Sequence, residues 1–421
     1  MVDRGTKTRM ARIAQSIAEV VKSGLCIGCG LCEAVTNGRV RMTMTSYGSL
    51  RPAPVDAFSS EEQERILTAC PGVVAEPRVE VGLESDPVWG AFAPMRYAWA
   101  GDPEVRFRAA TGGVLTALGV HLVRHTGARF ILHVCADPER PMRSIWVLSE
   151  TPEQVIARTG SRYGPVAPLA GLNAALDRGE PFAIIAKPCD LGAVHRFART
   201  DARVDELCVA RLALVCGGQS RLSKSAEVLA EYDLSENELA LFRYRGYGNP
   251  GPTRIETRDG RIFEKTYLEL WEDEAGWELE TRCKVCPDAL GEAADVAAAD
   301  VWPGGSPTGE DAGFNGIVVR SKAGSELVAS AVEAGDLVLG DAITPREFDD
   351  FQPHQVRKKE ALAARFEGLT DSGLPVIGTL GLRVEELGNR IDQETRVKEV
   401  EGLKKRASEG RITEPLPVVK T

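Results

Sequence analysis

The chain has 421 residues, 43% hydrophobic and 27% charged, which suits a soluble globular protein of two to four units rather than one ordinary domain. No apolar run approaches the ~18 residues of a membrane span; the longest, at 114–123, is shorter and contains His121. A net charge of −10 excludes an extended nucleic-acid face and is compatible with a small-molecule enzyme.

Residues 1–24 form an N-terminal extension in which Ile13, Ile17, Val20 and Val21 recur at roughly helical spacing among Arg and Lys. A transit peptide has the same look, but Asp3 and Glu19 count against it, so an exposed helix is expected. Cys26, Cys29 and Cys32 follow, then Cys70 with Pro71 directly after it. C-x-x-C-x-x-C with a remote C-P is the arrangement bacterial ferredoxins use for a [4Fe–4S] cluster. Gly28 and Gly30 permit the tight turn that lets three thiolates wrap one face of the cluster. Only one such triplet is present, so Cys70 is expected to complete the same site. Zinc would use paired C-x-x-C, and disulfides an oxidising compartment, so the motif points to single-electron chemistry in a reducing cytoplasm. The ferredoxin-like module spans 25–80, with a short strand at 39–45 and a helix at 60–69 capped by Ser60. Residues 84–94 read as a linker.

Beyond the linker, apolar runs alternate with helical stretches. Helices are expected at 112–125, 169–178 and 325–333. Strands are expected at 129–135, 144–148, 181–187, 210–216 and 315–320, and Asp259-Gly260 marks a hairpin between 253–257 and 261–264. The fold class is therefore α/β (α+β), with a mostly parallel sheet in a core of two parts, 90–178 and 179–350. Residues 351–421 read as a helical, charged tail with an amphipathic surface helix at 384–406.

Four more cysteines share a pattern. Cys189 and Cys216 end two of the predicted strands, and Cys283 and Cys286 form a C-x-x-C followed by Pro287 and Asp288. Open α/β sheets place ligands at the carboxyl edge, where four converging thiolates would suit a second [4Fe–4S] cluster. A buried C-x-x-C with two unrelated core cysteines, or a zinc site, fits the spacing equally. Cys135 and Cys208 read as small buried residues. Thr111, Gly112 and Gly113 open a helix that could hold a pyrophosphate, or simply start it. Ser161, Arg162 and Tyr163 follow a glycine turn and offer a hydroxyl, a charge and an aromatic face, or a plain surface turn.

Taken in order, these residues resemble the coenzyme F420 hydrogenase/dehydrogenase beta-subunit family. The likeness spans about 25–369 and rests on the N-terminal cysteine motif, Arg108 to Gly113, Gly160 to Tyr163, Pro188-Cys189, Cys216-Gly217, Cys283-x-x-Cys286-x-Asp288, Asp295-Val296 and a late Lys358 and Arg365. Its chlorophyll-reductase branch, 7-hydroxymethyl chlorophyll a reductase and the ferredoxin-type divinyl chlorophyllide 8-vinyl reductase, is similar in cysteine pattern. The resemblance implies a flavin, FAD rather than FMN, beside the iron–sulfur centre. In the two-cluster branch it implies that Cys189, Cys216, Cys283 and Cys286 hold a second cluster. Thr111, Gly112, Gly113, Ser161, Arg162 and Tyr163 become flavin-site candidates. Lys187 departs from the small or hydroxyl residue usual before Pro-Cys; beside a flavin, its cation would favour the anionic reduced form.

The expected function is that of an iron–sulfur flavoprotein reductase. It would take electrons from reduced ferredoxin or a similar donor and reduce an unsaturated or hydroxymethyl-bearing small molecule, a tetrapyrrole among the candidates. His133, His195 and Tyr163 are the candidate proton donors, and Asp190 and Asp288 candidate orienters of the cysteine loops. A deazaflavin-dependent oxidoreductase or hydrogenase beta subunit, and an electron-transfer subunit without its own substrate, are the competing readings. A homo-oligomer is compatible with all three.

Overall fold

The apolar runs of the middle of the chain assemble into one eight-stranded sheet. A computed structural model describes residues 11–271 and 277–417. The strands are β1 (Met95–Ala100), β2 (Phe130–Ala136), β3 (Ser144–Ser149), β4 (Phe182–Ala186), β5 (Cys208–Leu214), β6 (Val296–Asp300), β7 (Asn315–Val319) and β8 (Leu337–Ile343). Their spatial order is β8-β1-β7-β6-β5-β4-β2-β3. β2, β4, β5 and β6 pair in parallel. β3 joins one end antiparallel, and β7, β1 and β8 alternate in direction at the other. Following those pairings, β1 runs with the four central strands, so five of the eight share one direction. The α/β fold with a mostly parallel sheet is therefore what forms, with antiparallel additions flanking a parallel centre.

Alternation along the central strands divides the core into two layers. Ile131, Ala183, Leu212, Val296 and Ile317 pack against the Val114–His125 and Lys322–Glu333 helices. Phe130, Phe182, Ile184, Ala297 and Val318 face the other way, onto Leu191, Val194 and Phe197 of the Pro188–Phe197 helix. Ile27, Leu31, Val40 and Ile66 of the N-terminal module belong to that same second layer. The module and the sheet thus share one apolar core, which presses the first cysteine group against the sheet. The predicted hairpin forms between Thr253–Thr257 and Ile262–Lys265, with Leu239–Arg243 as its third strand.

Several expectations are corrected. The Ser60–Ala69 helix is capped by Ser59, whose hydroxyl accepts from the Glu62 N–H while the Glu62 carboxylate accepts from the Ser59 N–H. That reciprocal box satisfies two end donors, which Ser60 alone would not. The 84–94 stretch is a hairpin, Glu84–Asp86 with Gly90–Phe92, and it buries Val88 and Trp89. The 384–406 helix is two, Val384–Gly388 and Gln393–Ser408, because Asp392 caps a new start by accepting from the Thr395 N–H. The C-terminal region is no solvated tail. Leu362, Leu369, Leu382, Leu403 and Ile412 bury themselves against Val20, Leu25 and Val73 of the N-terminal module. The extension ahead of the cysteines supplies a short helix, Ile17–Lys22; residues 1–10 lie outside the described residues.

Candidate functional site

The first four thiols line one apolar cavity. Cys26, Cys29, Cys32 and Cys70 share its wall with Val20, Val21, Ile27, Met42, Pro52 and Ile66. Gly28 and Gly30 take φ of +73° and +90° to bend the chain around it. A Cβ at Gly28 would sit 2.6 Å from the Leu50 carbonyl oxygen, and one at Gly30 2.6 Å from the Ala170 N. Glycine is required here by close approach as well as by handedness. Burial pushes the Cys26 thiol up to about 12, and raises Cys29, Cys32 and Cys70 too, with the Cys70 sulfur adding to the shift of the other three. Four thiolates in an apolar hole are unfavourable unless a cationic centre offsets them.

The second four converge from separate elements. Cys189 sits at the start of the helix that follows β4, and Cys216 lies two residues beyond β5. Cys283 belongs to the Thr281–Lys284 turn, with Cys286 just after it. Cys286 raises the thiols of Cys189, Cys216 and Cys283, behind burial as the leading cause, so the four act on one another as a group. The Asp288 carboxylate accepts the N–H groups of Leu290, Gly291 and Glu292 at 2.9 Å each and so fixes the loop leaving Cys286. Among the described residues no three of the eight thiols lie within 4.8 Å of one another.

The two groups are neighbours. The Gln219 backbone N–H donates to the Cys283 Sγ at 3.3 Å, while its side chain donates to the Ile27 carbonyl at 3.2 Å. Arg282 Nε donates to the Pro71 carbonyl at 2.8 Å. Asp190, one residue from Cys189, raises the Cys29 thiol behind burial. Cys26 is backed by a wholly buried network in which Arg51 pairs with Glu280 at 2.5 Å and Glu414 at 2.6 Å.

Residues 95–173 match the coenzyme F420 hydrogenase/dehydrogenase beta subunit N-terminal description, and residues 179–344 its C-terminal one. The chain belongs to the coenzyme F420 hydrogenase/dehydrogenase beta-subunit family. At that level it is an iron–sulfur oxidoreductase or an electron-transfer subunit of one. The second cysteine group falls inside the C-terminal match, and the first lies ahead of both. A solved chain of the F420-reducing [NiFe] hydrogenase complex from Methanosarcina barkeri is 20% identical, covering 66% of this chain and 96% of that one with a TM-score of 0.49. No curated protein matches. Among the described residues no helix is long and apolar enough to cross a membrane.

Within this family member, the residues singled out for a flavin separate into two sets. Gly112 is packed onto the sheet: a Cβ there would meet the Asn315 N at 2.7 Å and the Ala98 carbonyl oxygen at 2.8 Å. The Thr111 hydroxyl accepts from Asn315, and the Asn315 side-chain oxygen accepts from the Val114 N–H behind Gly113. Close helix–sheet contact thus accounts for the glycine pair. Arg162 is likewise engaged, donating to the carbonyls of Phe242, Pro141, Met142 and Arg143 and to the Ser144 hydroxyl. Ser161 is half-buried in the same turn. Lys187, in contrast, is half-buried, its Nζ 2.9 Å from Asp190; burial alone would lower its ammonium, but Asp190, Cys189 and Cys216 outweigh that and raise it.

The proton-donor candidates also separate. His133 is buried within β2 against the Ser149 hydroxyl at 2.6 Å, and burial with Arg158 nearby lowers it to about 4. Lowered this far it is no imidazolium donor near neutral pH, and its Nε2 is taken up by Ser149. His195 lines a different cavity with Arg78, Arg199 and Arg211, and burial followed by Arg211 lowers it. It lies near the far end of the Pro188–Phe197 helix, whose first turn holds Cys189. Tyr163 is at the carboxyl edge: Arg245 donates to its hydroxyl at 3.1 Å and to Asp300 at 2.9 Å. Arg245 is the residue the sequence did not disclose. It is buried between the Tyr267 and Trp302 rings, 5.1 and 4.8 Å away, and its Nε has no partner among the described residues. Flanking glycines and tyrosines at 244–248 were the available signal. His354 lies nearby, lowered to about 4 by burial and by Lys358.

Proposed function

We propose that the chain is an iron–sulfur flavoprotein reductase. It would accept single electrons from reduced ferredoxin or a donor of that kind. It would reduce an unsaturated or hydroxymethyl-bearing small molecule, with tetrapyrroles as the class suggested by the cysteine pattern. The observation that carries this reading is the adjacency of two thiol quartets at one side of the sheet, joined by Gln219 and Arg282. Cys26, Cys29, Cys32 and Cys70, which line one cavity, would hold one [4Fe–4S] cluster and Cys189, Cys216, Cys283 and Cys286 the other.

For FAD, the orphaned donor at the carboxyl edge is the better fit: Arg245 Nε is buried without a hydrogen-bond partner, and Lys187, paired with Asp190 at 2.9 Å, stands two residues ahead of Cys189. When bound, the clusters supply one-electron transfer and the flavin its conversion into two-electron reduction. Lys187 and Arg245 then provide positive charge and orientation. Tyr163, held by Arg245, is the hydroxyl placed to hand over a proton.

Family membership favours a second reading, in which the reduced deazaflavin coenzyme is the electron donor. Anaerobic purification followed by iron, sulfide and flavin counts tests the cofactors; about eight irons and one FAD per chain are expected. Assays with reduced ferredoxin and with the reduced deazaflavin then separate the donors. Turnover with the deazaflavin alone establishes the second reading. A folded, colourless, iron-free protein ends both.

A further inference from the structure

Arg282 stands between the two thiol quartets and is 2% exposed. Its Nε donates to the carbonyl of Pro71, the residue after Cys70. Arg282 directly precedes Cys283 in the Thr281–Lys284 turn, and its charge acts on Cys286, Cys189 and Cys283. Cys70 feels the same charge. No carboxylate pairs with Arg282 among the described residues. The nearby buried Arg51 differs, being matched by Glu280 and Glu414. Arg196 differs in another way: it donates to the Thr68 and Ala69 carbonyls and acts on Cys70, touching the first quartet only. A buried guanidinium is unfavourable without an anion beside it. The anions available to Arg282 are the thiolates on its two sides.

We infer that Arg282 is a positioning residue that ties the two cluster sites together electrostatically and raises the reduction potential of both. The inference rests on the two-cluster reading above. Each cluster gains one negative charge on reduction, and a fixed cation in a low-dielectric wall stabilises that form. One cation shared by both sites shifts the two potentials in the same direction.

Potentiometric titration followed by electron paramagnetic resonance is the test, on the full-length protein purified without oxygen. Iron content near eight per chain in the unmodified protein measures the two-cluster reading by itself; four per chain defeats that reading. Arg282→Gln is then expected to lower both midpoint potentials, whereas Arg196→Gln lowers only one. An Arg282→Gln protein that retains its iron and shifts one midpoint or neither overturns the inference. Should Arg282→Gln lose iron, Arg282→Lys decides. Its single ammonium lacks the planar fork of the guanidinium, so at least one midpoint falls; both unchanged overturns the inference.

Discussion

The two thiol quartets are built in opposite ways. The first draws three of its four sulfurs from residues 26–32, bent by two glycines in left-handed backbone. The second takes one sulfur from beyond each of two parallel strands and two from a turn about seventy residues later in the chain. A local motif can prearrange its ligands before the rest of the fold exists. A tertiary one exists only once β4, β5 and the 281–286 loop are in register. The contrast predicts that the first site tolerates loosening of the sheet and the second does not.

The largest effect comes from removing ligands. Cys29→Ala and Cys283→Ala are each expected to cut iron from about eight to about four per chain. A Cys283→Ala protein with full iron would show that the second quartet is not a metal site. Next, Arg51→Met strands Glu280 and Glu414 without their cation behind Cys26. Chemical denaturation should register a loss of about 3–5 kcal/mol.

Acid titration comes third. The His133 imzidazole stays neutral in the fold down to about pH 4, while the unfolded chain takes up its proton near 6.5. Stability is therefore full above that unfolded value and falls as pH drops from about 6.5 to 4, by up to ~3 kcal/mol. His133→Asn should flatten that limb in denaturation curves measured across the range. Smallest is Gln219→Ala, which removes the side-chain bond to Ile27 joining the quartets. About 1 kcal/mol is expected in the same measurement, and an effect several times larger would mean Gln219 holds more than this one contact.

What the sequence disclosed follows the same division. The cysteine triplet, the Asp259-Gly260 hairpin and the apolar strands are local patterns, and each appears where expected. Arg162 and Arg245 show the limit. Both are arginines beside tyrosines, and nothing in their neighbourhoods says that five oxygens consume the first while the second keeps a free Nε. His133 and His195 read alike as titratable rings until burial and three arginines separate them. The C-terminal segment looked solvated because charged residues are as numerous in it as apolar ones. Among the apolar ones, Leu382, Leu403 and Ile412 face inward together.

The Arg51–Glu280–Glu414 network has a bearing on how the protein matures. Glu414 reaches back across the chain to Arg51, and its N–H donates to the Lys22 carbonyl at 3.1 Å. During synthesis the wall behind Cys26 therefore stays open until residue 414 has left the ribosome. Any metal the first quartet takes up would have that whole interval in which to enter before Glu414 completes the wall.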